Sequence, residues 1–321
     1  MMNVRIESGE ASLKYTKRSS WLTIVRKDFV RNKALYLLVT PVVLFYILFA
    51  YTPMYGAIIA FKDYTPIKGI VGSRWVGLEH FKEFFGSLYF FRIMKNTLLL
   101  SFYNLLFGFP APIILAVLLN ELKSSIFRRV TQTITYMPHF ITLVVVCGIL
   151  RDFTLTDGLI NDMIAYFGGE RIAFLQKADF FRTLYVSTEI WQGIGWGTII
   201  YLAAITGIDP QQYEAAKIDG ANKWRQIWHI TLPGIRPTII ILLILAIGNM
   251  MNVGFEKIIL LYNPATYETA DVISSYVYRK GILEFDYSFS TAVGLFNSVI
   301  NFIVLLAANY LSKKASGSSL W

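Results

Sequence analysis

The chain has 321 residues, of which 55% are hydrophobic and only 16% charged, and its mean hydropathy is +0.50. That balance excludes an ordinary soluble globule and points to several membrane spans. The net charge of +9 reads as an anchor against anionic lipid and a topology signal, not as a nucleic-acid surface.

Six windows are long enough to cross a bilayer core, which takes about 20 apolar residues. They are 34–52, 96–120, 131–150, 183–208, 237–255 and 287–312; five hold no Asp, Glu, Lys or Arg, and the fourth holds only Glu189. Lys and Arg near span ends are retained in the cytoplasm. With both termini placed inside, the cytoplasmic segments carry 17 Lys/Arg against 7 Asp/Glu, and the external ones, Glu189 included, carry 13 against 14. The expected fold is all-α and integral to the membrane, with six transmembrane helices and both termini cytoplasmic. A basic tail (1–33), a transmembrane domain (34–312) and a short tail (313–321) are its parts.

The tail carries Arg5, Lys14, Lys17, Arg18, Arg26, Lys27, Arg31 and Lys33, with a helix expected over 21–31 along the membrane. The first 30 residues lack the apolar core of a cleavable signal, so the first span is expected to act as an uncleaved anchor. External segment 53–95 is rich in aromatic residues (Trp75, Phe81, Phe84, Phe85, Tyr89, Phe90), as an interfacial helix requires. Pro110 and Pro112 are expected to kink the second span, and a basic turn with Lys123, Arg128 and Arg129 leads to the third. The one cysteine, Cys147, lies mid-span, where neither a disulfide nor a reactive thiol is expected. External loops 151–182, turning at Gly168-Gly169, and 256–286 complete the outer side.

Between the fourth and fifth spans the chain turns polar over 206–236. Asp209 suits an N-cap, Pro210 the first helical position, and Gln212 the far side of a capping box. The helix should run to Asp219, where Gly220 offers the left-handed conformation of a sharp elbow. A second short helix carrying Trp224, Ile227 and Trp228 should then start near Asn222 and stop before Pro233. Ala215 and Ala216 keep the first helix thin enough to enter a cleft, and Glu214 offers a carboxylate to a basic partner. The alternative, an ordinary loop packed on its own spans, leaves the whole pattern Glu-Ala-Ala-x-x-Asp-Gly-Ala, followed by Ile-x-Leu-Pro, unexplained.

That pattern resembles the EAA loop of ABC-importer permeases, closest to the carbohydrate class represented by the maltose importer. Pro53-Met54-Tyr55-Gly56 and Gly248-Asn249-Met250-Met251-Asn252 are similar to the subgroup handling oligo- and polysaccharides, alginate importers among them. The resemblance implies a type I permease of the bacterial cytoplasmic (inner) membrane. It also implies a second homologous permease as partner, two copies of a P-loop ATPase and an extracytoplasmic solute-binding protein. ATP and magnesium would sit on the ATPase, with no cofactor in this chain. Glu214, Ala215, Ala216, Asp219, Gly220, Leu232 and Pro233 would couple to that ATPase.

Polar residues inside spans are costly and mark a path or interhelical glue. Asn249 and Asn252 are expected to share one face of the fifth span, and Asn297 and Asn301 one face of the sixth. The fourth offers Glu189, Trp191, Gln192 and Trp196 among Gly193, Gly195 and Gly197. Amides and a carboxylate beside aromatic faces suit an oligosaccharide. For an anionic sugar such as alginate, an unpaired Glu189 is unfavourable and needs a basic partner. The loop with Tyr267, Glu268, Asp271, Tyr278 and Arg279 is the expected docking surface for the binding protein.

The sequence contains no Gly-x-x-x-x-Gly-Lys-Ser/Thr, no Gly-x-Ser-x-Gly and no His-Glu-x-x-His. A polytopic enzyme of polysaccharide or lipid-linked sugar metabolism is the rival reading, weakened by the lack of an Asp-x-Asp pair. A secondary transporter leaves the polar hairpin without a purpose.

Overall fold

The computed structural model describes residues 27–317 and 319. It divides into two compact units, Met1–Gly56 and Ala57–Trp321. The basic segment 1–26, with most of the helix expected over 21–31, lies outside the described residues.

In the first unit an apolar helix, Lys33–Tyr46, runs through a π turn, Ile47–Tyr51, into Thr52–Met54. Pro41 is accommodated inside it. Asp28 holds its start, accepting from Asn32 Nδ2 at 2.7 Å and the Tyr36 hydroxyl at 2.8 Å. No residue of the helix Lys33–Tyr46 is buried, as expected of a segment whose solvent is lipid.

The second unit is helical apart from a two-stranded antiparallel ladder, Lys62–Asp63 with Arg74–Trp75. Across the described residues four helices are long and apolar enough to span a membrane: Lys33–Phe61, Phe90–Glu121, Lys223–Gly248 and Tyr287–Lys314. A fifth crossing is present if the bent pair Ser125–Phe140 and Leu143–Tyr166 counts as one. Ala178–Thr206 has 29 residues, enough length, but its Gly, Trp and hydroxyl residues make it more polar.

The expected third span, 131–150, is broken. Ser125–Tyr136 passes into a 3-10 turn, Met137–Phe140, containing Pro138, and Leu143–Tyr166 departs at 101°. The missing Pro N–H and the extended Ile141 and Thr142 end the ladder there. Gly195 makes the adjoining contact possible, because a Cβ there would overlap the Thr135 carbonyl oxygen. In the second span a π turn, Asn104–Gly108, stands just before Pro110.

The fifth span also differs from expectation. Its helix ends at Gly248, with Asn249 at the C-cap, so Asn249 and Asn252 do not share a helical face. The freed backbone is satisfied from two other helices. Asn301 Oδ1 accepts from Met251 N–H at 3.0 Å, and the Ser101 hydroxyl donates to the Met250 carbonyl. Non-helical backbone persists at membrane depth only where protein supplies such partners.

Three apolar clusters hold the unit together. One joins Leu100, Phe181, Tyr185 and Ile258; a second joins Phe84, Ile93, Met251 and Phe289; a third joins Ala116, Tyr201 and Ile235.

Candidate translocation cavity and coupling hairpin

A cavity of about 460 Å³ opens where the second, fourth and fifth helices converge on the broken backbone. Glu189, Asn249 and Asn252 line it, as do Ser101, Asn104 and Tyr185. A second cavity of about 460 Å³ shares Glu189, Asn252, Val253 and Gly254 with the first and adds Gln192, Glu256 and Lys257.

The remaining residues expected along a path fall elsewhere. Asn297 donates to Asn252 Oδ1 at 3.1 Å and Asn301 holds Met251, so both brace the wall. Trp191 packs beside Val146, Ile149 and Phe153, away from the central cavity. Trp196 stacks on His139, with ring centroids 4.5 Å apart and planes at 4°. Trp191, two places from Glu189, points to another face of the helix, whereas Trp196, seven places on, shares the Glu189 face but lies two turns further along it.

Asn104, Ser101 and Tyr185 were missed, although Asn104 and Ser101 obey the rule that exposed Asn249: a polar side chain within an apolar run. Lys257 carried no local signal as a partner. Its Nζ donates to Glu189 Oε2 at 2.9 Å and to the Tyr185 carbonyl at 3.0 Å, and the Tyr185 ring centroid lies 4.7 Å away. This is the basic partner that Glu189 needed.

The candidate coupling hairpin follows local rules closely. Asp209 caps Gln211 N–H at 3.0 Å and Pro210 opens the helix Pro210–Ile218. Gln212 makes no return bond, so the expected capping box is a single cap. Gly220 takes φ +73°. Ala221 N–H reaches the Ala216 carbonyl at 2.8 Å, and Gly220 N–H the Lys217 carbonyl at 3.1 Å. Those two bonds form a Schellman motif, which closes the helix and fixes the elbow. Glu214, Ala215, Asp219 and Gly220 are exposed; Ala216 is half-buried.

The second arm does not stop before Pro233. Lys223–Gln226, capped by Asn222, continues through a π turn, Ile227–Thr231, into Leu232–Gly248. Pro233 lies just after the π turn, inside this continuous helix, where the widened turn accommodates its ring and missing N–H. Leu232 is half-buried and Pro233 exposed. The Tyr213 hydroxyl meets Thr231 Oγ1 at 3.0 Å, joining the two arms. Lys223 Nζ stands 2.6 Å from Glu121 Oε2, an ion pair not aligned as a hydrogen bond, and ties the hairpin to the second helix.

The segment expected to dock a binding protein is a packed helical cap. Asp271 is wholly buried and receives Arg279 through both carboxylate oxygens at 3.2 and 2.8 Å, Arg92 at 3.1 Å and Ser275 at 2.8 Å. Its carboxylate is therefore not offered to a partner, because a buried charge persists only when paired. Arg279 is turned inward as well, over the Tyr267 and Tyr276 rings. Burial opposes its charge, but the hydrogen bonds and field of Asp271 outweigh that and raise its pKa. Arg182 donates to Asn96, which donates to the Glu268 and Asp271 carbonyls, so the cap is sewn to two long helices. Glu268 remains exposed, with Tyr267 and Tyr278 half-buried.

Residues 108–317 match the family described as binding-protein-dependent transport system inner membrane component. The chain belongs to that family. It is a multi-pass permease of the membrane that works with a binding protein, and not an enzyme. Protein LplB of Bacillus subtilis (strain 168) is 48% identical over 306 residues, 95% of each chain. The polygalacturonan/rhamnogalacturonan transport system permease protein YteP of the same strain is 48% identical over 286 residues, 89% of each. Among solved structures, a bacterial alginate ABC transporter in complex with alginate pentasaccharide-bound periplasmic protein has a chain 44% identical to the permease. The TM-score is 0.85, over 92% of this chain and 99% of that one.

Proposed function

We propose that the permease forms half of the pore of an ATP-driven importer for acidic oligosaccharides, alginate oligomers among them. The observation that carries this reading is the cavity at the break of the fifth helix, lined by Glu189, Asn104, Asn249 and Asn252, on the same continuous helix that begins in the coupling hairpin. Relatives named for polygalacturonan/rhamnogalacturonan and for alginate support the substrate class.

Six crossings follow if the bent pair and Ala178–Thr206 each cross once, with both termini and the hairpin on the cytoplasmic side. The excess of Lys and Arg in those segments supports this orientation. A second homologous permease completes the pore, two ATPase copies receive the coupling hairpins, and the binding protein delivers sugar from outside. Glu214 offers its carboxylate to a basic residue of the ATPase, Gly220 and Asp219 hold the elbow, and Ala215 and Ala216 keep the helix narrow. Asn104, Asn249, Asn252 and Glu189 supply hydroxyl-bonding groups in a path that opens alternately to each side. Glu268, Tyr267 and Tyr278 remain the binding-protein contacts on the cap.

The test is ATP hydrolysis by the purified complex with binding protein and a panel of oligosaccharides. Acidic oligomers should stimulate it; stimulation by neutral sugars alone discards the substrate class. Glu214→Lys should abolish stimulation while leaving the permease in the membrane, and unchanged stimulation sinks the coupling role.

A further inference from the structure

Glu189 and Lys257 form a pair layered in depth. The Glu189 side chain is 44% exposed and Lys257 only 2%, so the carboxylate faces the cavities and the ammonium stands behind it. Glu189 is the one charged residue lining the first cavity. In the second, the other charges are Lys257 itself and Glu256, which is solvent-exposed and therefore screened. Glu189 Oε2 accepts from Lys257, and among the described residues no protein donor reaches Oε1. Both cavities meet at this point, sharing Glu189, Asn252, Val253 and Gly254.

A lone carboxylate here would repel a sugar carboxylate through a medium of low effective dielectric, where the interaction is several times stronger than in water. With Lys257 behind it, the wall of the first cavity is electrically neutral, yet one carboxylate oxygen is still available to a hydroxyl. Resting on the importer reading above, we propose that Lys257 is the specificity-determining residue for charge. It cancels Glu189 so that carboxylate-bearing sugars can pass, while Glu189 Oε1 accepts a sugar hydroxyl. A merely structural pair, pinning the helix Phe255–Leu261 to Ala178–Thr206, makes no such distinction between substrates.

The test compares wild type, Lys257→Met, Glu189→Gln and the double variant in the full transporter with its binding protein. Galacturonate and mannuronate oligomers are offered beside carboxyl-reduced oligomers of equal length, and membrane level is measured in parallel. Lys257→Met should lower the ratio of acidic to reduced uptake by about 10- to 30-fold, as an uncompensated charge near the path implies. The double variant should restore that ratio, and Glu189→Gln should raise it. If wild type admits acidic oligomers alone, recovery of their uptake in the double variant decides. If Lys257→Met fails to insert, the rise in Glu189→Gln decides. Equal loss of both sugars in Lys257→Met, or no recovery in the double variant, overturns the assignment and leaves the importer reading standing. A wild type stimulated only by neutral sugars overturns both.

Discussion

Asp271 and Glu189 are both acids that meet cations from the same short stretch, residues 255–283, and the two sites are finished in opposite ways. At Asp271 every oxygen is occupied: two arginines and Ser275 converge on a carboxylate with no exposure. At Glu189 one oxygen is taken by Lys257 and the other faces a cavity. The first site has spent its hydrogen-bonding capacity on joining helices. The second has kept some in reserve, at the place where the backbone of the fifth helix is open. In a membrane protein the unused valence of a charged group locates function better than the charge itself, since structural ion centres are saturated by construction.

Substitutions at the two sites should separate these roles. Asp271→Ala leaves Arg279 and Arg92 facing each other without an acid, and should cost about 3–5 kcal/mol, the range for stranding one side of a buried pair. Thermal unfolding of the detergent-purified complex reads this; a variant as stable as wild type would show the cap to be dispensable. Glu189→Ala strands Lys257 but opens a half-exposed site that water can enter, so about 1–3 kcal/mol is expected. Its uptake defect should exceed its stability defect, and the reverse order would make Glu189 structural too.

Asn301→Ala removes only the acceptor for Met251 N–H, and about 1 kcal/mol of stability should follow. Hydrogen exchange at Met251 and Asn252 should accelerate, whereas unchanged protection would mean the break is held by Ser101 alone. Glu121→Gln touches an ion pair whose Lys223 side chain is 61% exposed, so stability should shift by less than about 1 kcal/mol. Coupling should nonetheless weaken, measured as ATP hydrolysed per sugar imported; an unchanged ratio removes Glu121 from the hairpin's support.

The hairpin was legible almost to the residue because its determinants are neighbours in sequence. Asp209, Pro210 and Gly220 each set the backbone beside them; the return bond from Gln212 did not form, and the second arm runs on past Pro233. The break after Gly248 was not legible. It sits in an unbroken apolar run, and the groups that make it tolerable, Ser101 and Asn301, come from helices far along the chain. The Glu189–Lys257 pair was half legible: the acid stood out in its span and its need for a cation followed from electrostatics. Which cation answered depended on how a later helix folds back. Pro138 was not singled out within 131–150, and a proline states only that a ladder is interrupted, not that the chain will leave at 101°.

One helix, Lys223–Gly248, reaches from the elbow of the hairpin to the edge of the cavity. Its 26 residues extend about 39 Å at the usual rise, which makes it a lever arm with one end in the hairpin and the other at the cavity. Tilting such an arm by about 5° carries its far end roughly 3 Å, comparable to one hydrogen-bond length. The bonds from Ser101 and Asn301 are the latches at that end, and a stroke of this size is enough to release them. On the proposed docking of the hairpin, movement at the nucleotide machinery would reach the cavity as leverage through a single backbone, without relaying from side chain to side chain.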